Sequence, residues 1–144
     1  YNYARCMRRG DFAADFIAQR EFIRSTVSML YLLNRRYMPF YKWMFRGLSG
    51  MKVLSEAREC LDALICLGSQ SDAWSEPYPA DWNPYVNLHD RKVMRIEQIC
   101  AMVVDELKRQ GLTDRNDDFL EVHAWEIMKR IQDPQLAHCH VLAG

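Results

Sequence analysis

The sequence predicts an all-α fold, an antiparallel bundle of about five helices with one long loop rich in aromatic residues and proline. Three observations carry this. Apolar residues recur at helical spacing in four or five separate segments. Sustained period-two alternation and Asn-Gly or Asp-Gly hairpin turns are missing. Gly, Pro and Asp stand where those helical segments need to start or stop. The 144 residues, 49% of them apolar and 26% charged, have the length and balance of one ordinary globular domain. A chain of that size buries enough surface for a core without disulfide staples. No apolar run approaches the ~20 residues that a membrane-spanning helix needs, and no secretory signal opens the chain.

Each element follows from local chemistry. A short helix covers Tyr3 to Arg9 and stops at Gly10. Asp11 is placed to cap a long helix reaching about Asn34, roughly 35 Å at ~1.5 Å per residue. Phe12, Phe16, Ile23, Val27 and Leu30 lie within about 60° of one another on it and are its expected core stripe. Pro39 breaks the chain after Tyr37 and starts a short helix to about Leu48. The next helix runs from about Val53 to Leu67, with Leu54, Ala57, Leu61, Leu64 and Ile65 inward and Gly68 as its stop. From Ser69 to about Val86, three prolines alternate with Trp74, Tyr78, Trp82 and Tyr85, a long connection expected to pack on its own rings. Asn87 or Asp90 caps a helix to about Gln110 whose seam is Val93, Ile96, Cys100, Val103 and Leu107. Asp117 opens the last main helix, with Leu120, Ala124, Ile127 and Ile131 as its seam and Asp133-Pro134 as its end. The tail from Gln135 adds a final turn.

Net charge is zero, but its distribution is uneven. Residues 1–52 hold ten Lys and Arg against three acids, a balance of +7, so the remainder carries −7. A basic segment of this kind seeks phosphate, carboxylate or an acidic protein surface. The neutral total disfavours a general nucleic-acid binder. Five cysteines, an odd number without a Cys-x-x-Cys pair, fit a reducing, cytoplasmic setting.

The strongest functional lead is Leu33 to Trp43. It sets Arg35, Arg36 and Lys42 among Tyr37, Phe40, Tyr41 and Trp43 at a proline-broken helix junction. Guanidinium groups grip phosphate or carboxylate in a fork, an ammonium adds a compact charge, and aromatic faces stack on a planar ring. The competing reading buries the rings as core and leaves the cations in water.

The string LNRRYMPFYKWMFRGL (33–48), with YNYARCMRRGD upstream and DDFLEVHAWEI downstream, resembles the helical C-terminal part of a bacterial family of nucleotidyltransferase-like proteins, a domain of unknown function, distantly similar to kanamycin nucleotidyltransferase. The resemblance runs along nearly the whole chain, and its most specific part is LNRRYMPFYKW. It implies that residues 1–144 form a single helical domain, the C-terminal part of a longer chain, as the opening on Tyr1 rather than Met also indicates. An N-terminal nucleotidyltransferase domain of the same chain is then the partner. Arg36, Tyr37, Lys42 and Trp43, with Arg35 beside them, become substrate-binding positions in a nucleotide or anionic-acceptor cleft.

Such transfer needs carboxylates holding Mg²⁺ against a nucleoside triphosphate. The family supplies a Gly-Ser loop followed by Asp-x-Asp or Asp-x-Glu. Here Gly68-Ser69 is followed by Asp81-Trp82-Asn83, and Asp114-Arg115-Asn116 likewise lacks its second acid. Catalysis, Mg²⁺ and nucleoside triphosphate are therefore expected of the parent protein, with no catalytic residue, metal or cofactor in this segment. His138-Cys139-His140 is a poor metal set without a second ligand pair. His123 reads as a structural histidine. A toxin-type helical ribonuclease needs four to six residues between Arg and His; Arg115 to His123 and Arg130 to His138 each have seven. The alternative function is a helical interaction or dimerisation module, in which the basic first third docks on an acidic surface.

Overall fold

A computed structural model describes residues 1–139. Among them are seven α-helices and one 3-10 turn, and no strand. The helices are α1 (Asn2–Arg8), α2 (Phe12–Leu33), α3 (Met44–Leu48), α4 (Ala57–Cys66), α5 (Arg91–Arg109), α6 (Leu120–Lys129) and α7 (Pro134–Ala137), with the 3-10 turn at Ser71–Trp74. The all-α expectation holds. The chain divides into two compact units, Tyr1–Ile99 and Cys100–Gly144, and the boundary falls within α5.

In the first unit α1 packs on α2 and on the 3-10 turn, and α2 packs on α3. Gly10, at φ +66°, turns the chain out of α1 while the Met7 and Cys6 carbonyls accept from Gly10 and Asp11. Asp11 then caps α2, its carboxylate accepting the Ala14 N–H at 3.0 Å. Val27, Leu30, Leu61, Leu64 and Ile99 are essentially inaccessible and form the centre of the core.

The first half of α2 departs from the expected stripe. Val27 and Leu30 are buried as foreseen, but Phe12 and Phe16 are 54% and 69% exposed, and Asp15 and Gln19 are buried instead. The cause lies on α5. Lys92 is buried there, and its ammonium donates to Gln19 Oε1 at 3.0 Å. A buried ammonium without a partner is costly, so α2 turns polar groups inward. Gln19 also donates to the Leu64 carbonyl. Next to Lys92, Asp90 caps α5 through the N–H groups of Lys92 and Val93 and accepts from the Tyr3 hydroxyl (2.8 Å) and the Trp74 indole (2.7 Å).

Two helices begin later than the spacing predicts. The chain stays irregular at Pro39 and Phe40 and turns through residues 41–43, so α3 starts at Met44. Likewise α4 starts at Ala57 rather than near Val53. The second delay traces to Asn34, which ties the end of α2 to residues 52 and 53 and so engages the backbone where α4 was expected to begin. Its amide donates to the Leu30 and Val53 carbonyls, and its oxygen accepts from the N–H groups of Lys52 and Val53. The long connection packs on its own rings, as expected: Trp82 stacks on Tyr78 at 4.1 Å and meets Trp74 edge-on at 6.4 Å.

In the second unit Gly111, φ +68°, turns the chain out of α5, with the Leu107 and Lys108 carbonyls accepting from Leu112 and Gly111. His123 is wholly buried. Its Nε2 lies 2.8 Å from the Asp117 carbonyl, which only accepts, so Nε2 carries the proton and Nδ1 accepts from the Thr113 hydroxyl at 3.1 Å. That is the structural histidine foreseen. Asp117 does not open α6, which begins at Leu120; its carboxylate pairs with Arg115. Asp133 caps the short α7. Of the His138-Cys139-His140 set, His140 lies outside the described residues. Among those described, no group of three or more metal-ligating side chains gathers.

Candidate functional site

Residues 35–52 leave the end of α2 and return beside it, so the elbow is a closed excursion with Asn34 at its neck. Arg35 stands at φ +55°, reversing the chain after α2, and its N–H is bonded to the Leu32 carbonyl. Behind it, the Tyr31 hydroxyl donates to the Met44 carbonyl at 2.9 Å and fastens the far limb of the excursion to α2. Burial pushes the Tyr31 phenol upward, against the lowering influence of Arg36. Gly47 is required there, because a Cβ would stand 2.0 Å from the Tyr31 hydroxyl oxygen.

Between this excursion, α2 and the end of α4 lies an open hollow of about 750 Å³. Met38, Pro39, Phe40, Tyr41 and Met44 form one wall, Phe16, Gln19, Arg20, Ile23 and Arg24 of α2 the other, and Ile65 closes the end. The Phe40 and Tyr41 rings are 4.5 Å apart and inclined by 51°. The volume is within the range of small-molecule sites, and the mixture of rings with a few polar groups is their usual chemistry. Arg20 and Arg24 share Glu21, at 2.6 and 3.7 Å, and all three side chains are largely exposed. Exposed pairs of this sort contribute little and exchange readily for another anion.

The five positions singled out from the sequence do not line this hollow. Arg35 and Arg36 are exposed, and an Arg36 amino group makes a long 3.5 Å contact with the Gly50 carbonyl. Tyr37 is 99% exposed. Lys42 is exposed and has no ionic partner among the described residues. Trp43 is 55% exposed, with the Arg46 guanidinium 5.8 Å from its ring centre. Met38 to Tyr41 and Met44 face the hollow, while Arg35, Arg36, Tyr37, Lys42 and Trp43 stand outside it.

The cations that do reach the hollow, Arg20 and Arg24, were not singled out. A signal existed: Phe16, Arg20, Ile23 and Arg24 fall at i, i+4, i+7 and i+8 on one helix face. It was obscured because the same stripe, with Phe12, reads as core.

No curated protein and no solved structure matches the chain. A protein-family model described as a domain of unknown function (DUF4037) matches residues 1–44, which take in α1, α2 and the elbow as far as Met44.

Proposed function

We propose that the chain is the helical substrate-side domain of a nucleotidyltransferase-like protein and that the hollow beside the elbow receives a nucleotide or an anionic acceptor. The observation that carries this reading is the meeting of Phe40 and Tyr41 with Arg20 and Arg24 around one open volume. A planar ring stacks on the aromatic wall while a phosphate or carboxylate competes with Glu21 for the two guanidinium groups. Arg35, Arg36, Tyr37, Lys42 and Trp43, turned away from that volume, face the preceding nucleotidyltransferase domain of the same chain in this reading. That domain brings the Mg²⁺ and nucleoside triphosphate chemistry. The likeness of residues 33–48 to such proteins supports the assignment, and so does the +7 balance of residues 1–52.

Calorimetric titration of the chain with ATP and GTP, with and without Mg²⁺, tests it. The Arg20→Ala/Arg24→Ala variant should weaken binding by about tenfold or more. Unchanged affinity in that variant would remove the hollow as the site.

A second reading, an interaction module, is favoured by one observation: Phe12, Phe16 and Ile17 are exposed side by side on α2, beyond what a solvated face needs. Light scattering across a range of salt concentrations separates the two. A nucleotide-binding monomer supports the substrate domain, and a dimer without nucleotide affinity supports the module.

A further inference from the structure

A second hollow, of about 340 Å³, lies against α1 and shares no wall with the one at the elbow. Its lining is Tyr1, Arg5, Arg8, Arg9 and Tyr85. Three arginines thus border one space whose lining contains no acid. None of the three forms an ion pair among the described residues.

The arrangement follows from how α1 is docked. Tyr3, Ala4 and Met7 are its buried face, and the Tyr3 hydroxyl is bonded to Asp90. Arg5, Arg8 and Arg9, at i, i+3 and i+4, are thereby held together on the opposite side. The Arg5 guanidinium lies 5.3 Å from the centre of the Tyr1 ring. Tyr85 approaches from the long connection, where the Asn83 side chain accepts the Tyr85 and Val86 N–H groups and sets the turn.

Cations in a last helical turn complement the helix dipole, which accounts for Arg8 and Arg9 taken singly. It does not account for three like charges at i, i+3 and i+4, a spacing at which they repel one another. An anion within the hollow converts that repulsion into shared, charge-assisted hydrogen bonds. The opposing dipole at the end of a seven-residue helix is small beside three full charges.

We propose that Arg5, Arg8 and Arg9, with the rings of Tyr1 and Tyr85, form a binding site for the phosphate groups of a small phosphorylated compound. The site stands independently of the reading given to the hollow at the elbow. Its phosphates come either from a nucleotide, whose base the tyrosines stack on, or from an inorganic polyphosphate.

The test is calorimetry of the chain with ATP, AMP and tripolyphosphate at low ionic strength. Binding should weaken as KCl is raised. Arg8→Gln/Arg9→Gln should lose about tenfold or more in affinity for ATP and tripolyphosphate, whereas Arg20→Gln/Arg24→Gln should keep the component lost there. Arg8→Lys/Arg9→Lys, which keeps the charge but loses the fork, should fall between. Equal affinities for ATP and tripolyphosphate place recognition in the phosphates. An excess for ATP that disappears in Tyr85→Ala adds the ring; either result supports the site. Failure of all three compounds to bind, or unchanged affinities in the glutamine variant, overturns it. Binding of a single-stranded oligonucleotide without any of the small compounds does so too. Circular dichroism checks that the variants keep their helices, and Arg8→Gln alone decides the matter if the double variant does not.

Discussion

Asn34 and Gly47 do more for the shape of the elbow than any of its rings. The Asn34 side chain uses both amide hydrogens and both oxygen lone pairs at the point where the excursion leaves and rejoins α2. Asn34→Ala leaves those backbone groups without partners and should cost about 2 kcal/mol in urea unfolding. Gly47→Ala should be destabilising by about 1–3 kcal/mol, because the Tyr31 ring blocks the new methyl. With Tyr31→Phe added, the obstructing oxygen is gone, so the double variant should lose less than the sum of the two single changes. None of this is legible from spacing. An asparagine after a helix is an ordinary stop signal, and its four partners come from residues up to nineteen positions away.

At the scale of the helix, buried polar groups decide which face turns inward, and they respond to pH in opposite directions. Desolvation raises the Asp15 carboxyl above its usual range, and nearby Asp90 adds to this while Lys92 opposes it. The folded state therefore favours the protonated acid. The contribution of Asp15 is complete below the ordinary aspartate range and is lost as pH rises through its raised value. Asp15→Asn should make the chain more stable at neutral pH and remove that part of the pH profile. Glu106 on α5 is the reverse. Hydrogen bonds from Arg109, against the cost of burial, hold its carboxyl below the usual range. Its contribution is present above the ordinary glutamate range and disappears as pH falls through the lowered value. Glu106→Gln should therefore lower the thermal midpoint at pH 7 and leave it nearly unchanged in strong acid. The seam of α5 could be read directly, since Val93, Ile96, Val103 and Leu107 are all buried and Cys100 half-buried. For α2 the same reasoning failed, because periodicity counts apolar residues and cannot see a buried lysine on another helix that requires Gln19.

For the whole molecule, the uneven charge has a structural counterpart. The arginines of α1, the exposed cations of the elbow and the pair on α2 all belong to the +7 segment. Raising ionic strength should weaken anion binding at either hollow far more than it changes folding stability, and parallel titrations and melts in KCl check this. The all-α class, the long helices α2 and α5 with caps at Asp11 and Asp90, and the stops at Gly10 and Gly111 were determined by the sequence alone, because propensity, capping and periodicity act over a few neighbouring residues; the starts of α3, α4 and α6 were not. The presence of a cationic, aromatic elbow was equally plain from residues 33–43. Which of its groups border a hollow was decided only by the tertiary structure. Asn34 and Tyr31 hold the excursion so that Met38 to Tyr41 turn toward α2 while Arg35, Arg36 and Lys42 turn away. The partners that set that orientation lie on other limbs of the chain, and no local rule of spacing contains them.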